Sequence, residues 1–117
     1  MNLKKGDIVS LDLPDADSNN PTHVQQNSRP ALVIQKQDNP KSSVITLIPF
    51  TKNQNAINYQ PSMKVPRSFT NGLTEDSILL ILQLGAFDKG DISGKQGKLE
   101  DVYLKEANKL VRELLGF

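Results

Sequence analysis

Three side chains in the first half of the chain have the chemistry to bind or transform a phosphate group, and a proline orients one of them. Arg29 carries a permanently charged guanidinium whose planar fork matches two phosphate oxygens. Pro30 biases the preceding residue towards an extended backbone, which gives the Arg29 side chain a defined direction. Thr51 offers a hydroxyl that can position a reacting group but is too weak a base to ionise one near neutral pH. His23 is the only histidine, and the imidazole pKa of about 6.5 suits proton transfer.

Composition limits the chemistry to oxygen, nitrogen and charge. The chain has no cysteine and one histidine, so the sequence excludes disulfides and thiolate metal sites. A zinc or transition-metal site made only of protein ligands is not expected either, because such sites draw on several cysteines or histidines. We therefore expect no metal and no cofactor.

Charge is unevenly distributed along the chain. The formal net charge is only +1, but residues 18–72 contain six basic residues against one acidic residue, Asp38. The basic residues are Arg29, Lys36, Lys41, Lys52, Lys64 and Arg67. A local basic face of this kind can bind a polyanion while the whole molecule stays near neutral, although the same lysines would also suit solvated loops.

Length and hydropathy indicate a single domain outside the membrane. A chain of 117 residues supports one hydrophobic core and is too short for two, so we expect residues 1–117 to form one domain. The longest apolar run covers residues 78–82, far below the roughly 20 residues that span a bilayer. No apolar stretch of signal-peptide length follows the N-terminal lysines, which predicts a cytoplasmic protein.

Apolar and β-branched segments predict strands in the first three quarters of the chain. They are residues 7–13, 31–34, 44–48, 59–65 and 77–87. The second and third segments are expected to pair in an antiparallel manner, and Pro61 interrupts the fourth. Residues 15–28 are polar and are predicted to form a long loop, of a length that is often functional.

Apolar residues recur with a helical period towards the end of the chain. They are Leu99, Tyr103, Ala107, Leu110 and Leu114. Gly116 is a natural helix end, and an apolar stripe on a terminal helix usually packs on its own domain rather than on a partner. Strands in series with one closing helix predict the α+β class, with a small, strongly bent antiparallel sheet or barrel.

Several motifs resemble, in order and spacing, the MazF/PemK family of toxins. They are Gly6-Asp7-Ile8-Val9, Leu11-Asp12-Leu13-Pro14, the segment from His23 to Pro30, Leu47-Ile48-Pro49-Phe50-Thr51, Gly72-Leu73, Ser77, Gln83 and Asp88-Lys89. The resemblance implies an SH3-like barrel, a homodimer and sequence-specific cleavage of single-stranded RNA. It also implies a cognate antitoxin that counteracts the toxin.

Metal-free RNA cleavage asks for few protein groups. The 2′-hydroxyl of the RNA attacks the neighbouring phosphate and leaves a 2′,3′-cyclic phosphate, so the nucleophile comes with the substrate and needs in-line placement. With the resemblance, Arg29 is expected to bind the phosphate, Thr51 to position the reacting groups, and His23 to transfer a proton. The candidate RNA-binding residues are Gln25, Gln26, Pro30, Lys52 and Lys64.

The residue types leave alternatives open at these positions. His23 would equally suit a stacking contact with a base or an exposed loop without a role, and Arg29 a surface salt bridge. Gln25 and Gln26 have amides that can read base edges but also fit a solvated loop. Candidates for base stacking near the basic stretch are Tyr59 and Phe69. Phe50 is expected in the core.

One late segment departs from the family pattern. Many relatives have an arginine and a threonine between the glutamine and the aspartate, whereas Gly85-Ala86 stands before Phe87-Asp88 here. A second cation is therefore missing, and Asp88 is expected only to cap the turn that follows it. Two alternatives remain: a CcdB-like, non-enzymatic gyrase poison, and a catalytically decayed RNA-binding module of the same fold.

Overall fold

The computed structural model describes residues 2–13 and 27–117. Its strands are β1 (Asp7–Leu13), β2 (Asn27–Val33), β3 (Val44–Thr51), β4 (Met63–Val65), β5 (Ser77–Leu79), β6 (Gly85–Asp88) and β7 (Ile92–Lys98), and its α-helix is α1 (Asp101–Leu115). Short 3-10 helices lie at Gln54–Asn58, Ile81–Gln83 and Lys89–Asp91. No helix in the described ranges is long and apolar enough to cross a membrane.

The strands form one antiparallel sheet in the order β4-β5-β3-β2-β1-β7, with β6 also paired to β3. Strand β3 is central, because its first half pairs with β6 while Phe50 and Thr51 pair with β5. Pro49 lies between these two pairings, and its carbonyl accepts a 3.0 Å hydrogen bond from the Leu80 amide. A proline cannot donate to a ladder, so it fits the point where β3 changes partner.

Alternation along β1, β2 and β3 supplies two cores, one on each face of the sheet. One face packs against α1 through Ile8, Leu32, Ile48 and Phe50, and Ala107 is the buried residue of the helix at this contact. The opposite face includes Val9, Leu11, Ala31, Val33 and Leu47, covered by Ile92 and the half-buried Phe87. Because both faces are covered, the sequences of these strands are nearly continuous apolar runs. Leu99, Tyr103, Ala107 and Leu110 of the helical stripe pack in the core as the sequence predicts, whereas Leu114 is exposed.

The connection between β4 and β5 packs against β7 and completes the curve of the sheet. The Lys98 amide donates to the Thr70 carbonyl at 2.9 Å, and the Gln96 side-chain amide donates to the Gly72 carbonyl at 2.9 Å. Gly72 has a φ of +69°, and a Cβ there would overlap the Gln96 carbonyl oxygen. Among the described strands, β4 and β7 do not pair, so the sheet is strongly bent and barrel-like but not closed, and this connection bridges its two edges.

The α+β fold with an antiparallel sheet and a C-terminal helix is confirmed. One predicted strand is wrong, and one observed strand was not predicted. The apolar segment 77–87 is not one strand, because it turns at Ile81–Gln83 and buries Ile81 while leaving Leu82 exposed. Strand β7 was not predicted, since two glycines and two lysines give it a weak strand pattern. Its pairing with β1 contains two register shifts, which bend the sheet.

The boundaries of the second strand also differ from the prediction. Strand β2 begins at Asn27 rather than at Ala31, so the predicted loop at residues 15–28 ends at least two residues earlier. Residues 15–26 of the predicted loop lie outside the described residues. The earlier start places Arg29 and Pro30 within a strand rather than at its mouth.

Candidate active site

An open cleft lies where the start of β2 meets the end of β3. It has a volume of about 300 Å³ and is lined by Ser28, Arg29, Pro30, Phe50, Thr51, Lys52, Thr74, Glu75 and Ser77. We call it the Arg29 cleft. Four of the residues predicted from the sequence, Arg29, Pro30, Thr51 and Lys52, therefore meet in one place.

Strand register explains why Arg29 and Thr51 come together. The β2–β3 ladder ends at the pair Ala31–Pro49, and Arg29 and Thr51 each lie two residues beyond that pair on their own strands. Side chains two residues apart on a strand share a face, so Arg29 lies on the Ala31 face of β2 and Thr51 on the Pro49 face of β3. The guanidinium and the hydroxyl are thus held by a rigid sheet.

Arg29 is exposed at the surface of β2, between the buried Ala31 and the cleft mouth. On the β1 side it pairs with Leu11, and next to it the Ser10 and Ser28 hydroxyls form a cross-strand hydrogen bond. Ion pairs between described residues involve only lysines. Arg29 therefore has no described carboxylate partner, and its charge faces the cleft.

The Thr51 hydroxyl accepts a hydrogen bond within the local turn and can still donate one to a ligand. Its Oγ1 accepts a 3.2 Å hydrogen bond from the Asn53 amide, which leaves the O–H free to donate into the cleft. Lys52 follows it and is exposed. A donor and two cations in one cleft suit a ligand with several anionic oxygens.

Glu75 is a cleft residue that sequence reasoning missed. It is exposed and is the only acidic residue lining the Arg29 cleft among the residues that the structure describes. Its carbonyl accepts a 2.9 Å hydrogen bond from the Ser77 hydroxyl, which fixes the loop immediately before β5. The family-like Gly72-Leu73 and Ser77 flank this position, but no motif singled out the glutamate itself.

A second depression adjoins the first and shares Arg29 and Thr51 with it. It has a volume of about 320 Å³, and its other lining residues are Asn53, Ala56, Tyr59, Leu80, Leu82 and Gln83. We call it the Tyr59 depression. Tyr59 and Leu82 are 69% and 58% exposed, so an apolar surface lies beside amides that can donate and accept hydrogen bonds, a combination that suits a flat nucleobase.

One other residue singled out from the sequence lies away from these two depressions, and three fall outside the described residues. His23, Gln25 and Gln26 fall outside the described residues. Lys64 is exposed on β4 but lines neither depression. Its role in RNA binding stays a prediction.

The predictions for the aromatic residues and for the late segment can be compared with their positions in the structure. Phe50 is fully buried, as expected, while Phe69 is fully exposed but lies outside the lining of both depressions. Gly85 and Ala86 are on β6, paired with the start of β3, and line neither depression. Asp88 accepts a 2.8 Å hydrogen bond from the Gly90 amide, which confirms its capping role.

No cluster of three or more histidine, cysteine, aspartate or glutamate side chains in the described part of the chain could hold a metal ion. The cations of the cleft are Arg29 and Lys52. Protein side chains can therefore supply positive charge to a bound phosphate directly.

Solved structures with the same fold include several toxins. A chain of the MazE–MazF complex from Deinococcus radiodurans (Form II) has a TM-score of 0.75 at 18% identity, covering 100% of this chain and 98% of that chain. MazF (Form I) from the same organism has a TM-score of 0.72 at 20% identity, covering 100% and 99%. An endoribonuclease in complex with its cognate antitoxin from a mycobacterial species has a TM-score of 0.68 at 14% identity, covering 100% and 97%.

Comparison at the level of sequence gives the family. No curated protein matches the sequence. A family model described as PemK-like, MazF-like toxin of type II toxin–antitoxin system matches residues 4–115, which is nearly the whole chain and includes both depressions. The chain therefore belongs to the PemK-like, MazF-like toxins of type II toxin–antitoxin systems.

Proposed function

We propose that the protein is a metal-independent endoribonuclease that cleaves single-stranded mRNA in a sequence-specific manner. The observation that carries this proposal is the meeting of Arg29, Thr51 and Lys52 in one open cleft beside a depression suited to a base. Family membership supports it, and so does the mycobacterial neighbour of the same fold, which is named an endoribonuclease.

Arg29 binds and stabilises the reacting phosphate in this proposal. Attack of the 2′-hydroxyl adds negative charge to the phosphate oxygens, and a preorganised cation stabilises that charge more strongly than it stabilises the ground state. The strand backbone fixes Arg29 before substrate arrives, so little reorganisation is needed. Lys52 adds a second positive charge at the same cleft.

Thr51 positions the substrate rather than ionising it. Its oxygen is already engaged by the Asn53 amide, so the hydroxyl proton can be donated to a nonbridging phosphate oxygen. This contact would hold the phosphate in line with the 2′-hydroxyl, which accelerates the reaction by orientation.

Proton transfer needs one acceptor and one donor. The bond between the 2′-oxygen and phosphorus forms while the bond between phosphorus and the 5′-oxygen breaks. Glu75 would accept the 2′-hydroxyl proton, and His23, as an imidazolium, would donate a proton to the leaving 5′-oxygen. The products are a 2′,3′-cyclic phosphate and a free 5′-hydroxyl, so atoms and charges balance.

Binding of a base beside the scissile phosphate would give sequence preference. The Tyr59 depression shares Arg29 and Thr51 with the cleft, so a nucleotide whose phosphate lies on Arg29 can place its base there. Gln25 and Gln26 are further candidates for base contacts, and Lys52 and Lys64 for backbone contacts. We also propose a homodimer and a cytoplasmic location. A cognate antitoxin is proposed because a neighbour of the same fold is an endoribonuclease in complex with its cognate antitoxin.

The test is cleavage of a long RNA by the purified protein in the presence of EDTA, with the fragment ends mapped. We expect 2′,3′-cyclic phosphate ends, and we expect Arg29→Ala to lower the cleavage rate by about a hundredfold or more. Lys36→Ala is the control for loss of one exposed cation, because Lys36 lines neither depression.

Three outcomes would contradict the proposal or part of it. Cleavage by Arg29→Ala at the wild-type rate would remove Arg29 from the mechanism. RNA binding without cleavage by the wild-type protein would indicate a catalytically decayed module. Arrest of DNA replication with intact RNA would indicate a gyrase poison instead.

A further inference from the structure

A basic groove lies between α1 and the N-terminal part of the sheet, at the other end of β2 from Arg29. It has a volume of about 520 Å³. Its charged lining residues are Lys5, Lys105, Lys109, Arg112 and Glu113, which gives four positive charges against one negative charge, a local balance of +3. We call it the α1 groove, and the mechanism proposed above does not use it.

Helix geometry aligns the cations along one side of the groove. Lys105, Lys109 and Arg112 fall within an arc of about 60° on α1, because they are spaced by four and three residues. Such spacings place like charges side by side, which is unfavourable in an isolated helix. Glu113, four residues after Lys109, is the one acidic residue that lines the groove, and no ion pair between described residues involves it or these three cations.

The floor of the groove is small and apolar. Ile34 is 8% exposed and Val111 is half-buried, so a ligand finds few deep pockets for side chains. A row of cations repeating about once per helical turn, over a shallow floor, suits a polymer with regularly spaced negative charges. A nucleic-acid backbone meets this description without needing apolar anchors.

The position of the groove fits an RNA that extends beyond the cleft. Arg29 and Ile34 are five residues apart on or just after β2, which corresponds to about 16 Å at 3.3 Å per residue. The two depressions around Arg29 are small, so the rest of a long mRNA must pass over the outside of the domain. The α1 groove offers positive charge to such an RNA at the opposite end of β2 from Arg29.

We infer that the α1 groove is a second, sequence-independent binding site for the RNA backbone, outside the cleavage site. The choice of RNA as the ligand rests on the proposed function, whereas the location rests on the groove itself. Binding there would raise affinity for long RNA over short RNA, because a second contact on the same molecule is made at high effective concentration.

The experiment measures binding of uncleavable RNA, with every 2′-hydroxyl methylated, by fluorescence anisotropy at several salt concentrations. One probe has roughly 5 nucleotides and the other roughly 24, so that only the longer probe can contact both surfaces. The variant is Lys105→Gln/Lys109→Gln/Arg112→Gln. Lys41→Gln is the control for loss of a lysine charge, because Lys41 is exposed in the connection between β2 and β3.

We expect the triple variant to lower the ratio of long-RNA to short-RNA affinity at least tenfold. The slope of log affinity against log salt for the long RNA should become shallower by about 2, since three phosphate contacts are lost at roughly 0.7 each. Lys41→Gln should change neither quantity. Removal of like charges should not lower the thermal midpoint of the variant, so unfolding would not mimic the result.

Two outcomes would overturn the inference. If the triple variant binds long RNA with the wild-type affinity and salt slope, the groove does not bind RNA, even if the wild-type protein cleaves RNA as proposed. If the variant instead loses binding to a polyglutamate peptide while RNA binding is unchanged, the groove is an acidic-protein site. Failure of the wild-type protein to cleave any RNA in EDTA would contradict the proposed function separately.

Discussion

Arg29 and Thr51 each lie two residues beyond Ala31 and Pro49, the pair at which the β2–β3 ladder ends, and both line the Arg29 cleft and the Tyr59 depression. Each is carried by a strand of the sheet, Arg29 by β2 and Thr51 by β3, rather than by a flexible loop. The following predictions depend on that rigidity.

Arg29→Lys keeps the positive charge but loses the planar fork that holds two phosphate oxygens. We expect kcat for RNA cleavage to fall by about tenfold or more, and less than in Arg29→Ala, because charge remains but bidentate orientation is lost. The salt dependence of RNA binding should stay near that of the wild-type protein. Equal kcat values for the lysine and arginine proteins, measured on one defined substrate, would show that only the charge matters.

Thr51→Val removes the hydroxyl with little change in volume. We expect kcat to fall by about tenfold, the effect of losing one hydrogen bond of roughly 1.5 kcal/mol, with a small loss of stability because the Asn53 amide also loses its acceptor. Thr51→Ser is the control, since it keeps the hydroxyl. If the serine variant is as slow as the valine variant, the hydroxyl is not the group that positions the phosphate.

Much of this cleft was predictable from sequence because its residues are carried by strands with strong patterns. Arg29, Pro30 and Thr51 are next to the β-branched and apolar residues of β2 and β3, and the family resemblance fixes their order. Glu75 was not predicted, because it lies in a connection without periodicity, and only the pairing of β5 with β3 brings that connection to the cleft.

The strand and the turn that the sequence did not predict both depend on contacts between distant parts of the chain. Strand β7 is rich in glycine and lysine, and it forms because β1 offers a free edge and because Gly97 allows close approach to Asn71. Strand β3 pairs with β5 at its end and with β6 along its first half. One continuous strand over residues 77–87 would leave its apolar residues on both faces of this sheet, so the segment turns at Ile81–Gln83. Non-local pairing of this kind is not encoded in a local pattern.

Glu75→Gln replaces the proposed proton acceptor with a neutral side chain of the same shape. We expect kcat to fall by about a hundredfold or more, while RNA binding stays equal or tightens because a negative charge leaves the cleft. Single-turnover cleavage of one defined RNA measures the rate, and fluorescence anisotropy measures binding.

Asp76→Asn is the matched control for Glu75→Gln. It removes a neighbouring negative charge but keeps the oxygen that accepts a 2.9 Å hydrogen bond from the Arg67 amide. We expect its cleavage rate to stay within about threefold of the wild-type value, the change in rate that corresponds to roughly 0.7 kcal/mol. If both variants lose activity equally, local charge rather than proton transfer explains the effect, and Glu75 is not the base.

Asn71 is the anchor of the connection that carries Glu75. Its side chain is fully buried; it accepts hydrogen bonds from the Ser68 and Leu73 amides at 3.0 Å each and donates to the Pro66 carbonyl at 2.9 Å and to the Glu100 carboxylate at 3.0 Å. Every polar atom of the amide is therefore engaged, and the loop is tied to the residue that precedes α1.

Asn71→Ala leaves several of these buried partners unsatisfied, so we expect the free energy of unfolding to fall by about 2–4 kcal/mol. Cleavage should also slow at temperatures where the variant is still folded, because the loop no longer fixes Glu75 in the cleft. Asn55→Ala is the control, since the Asn55 side chain is exposed and only its backbone amide is bonded. Urea unfolding measures the first effect and single-turnover cleavage the second. A variant that loses stability but cleaves at the wild-type rate when folded would separate the anchor from the chemistry and show that Glu75 is placed by β5 alone.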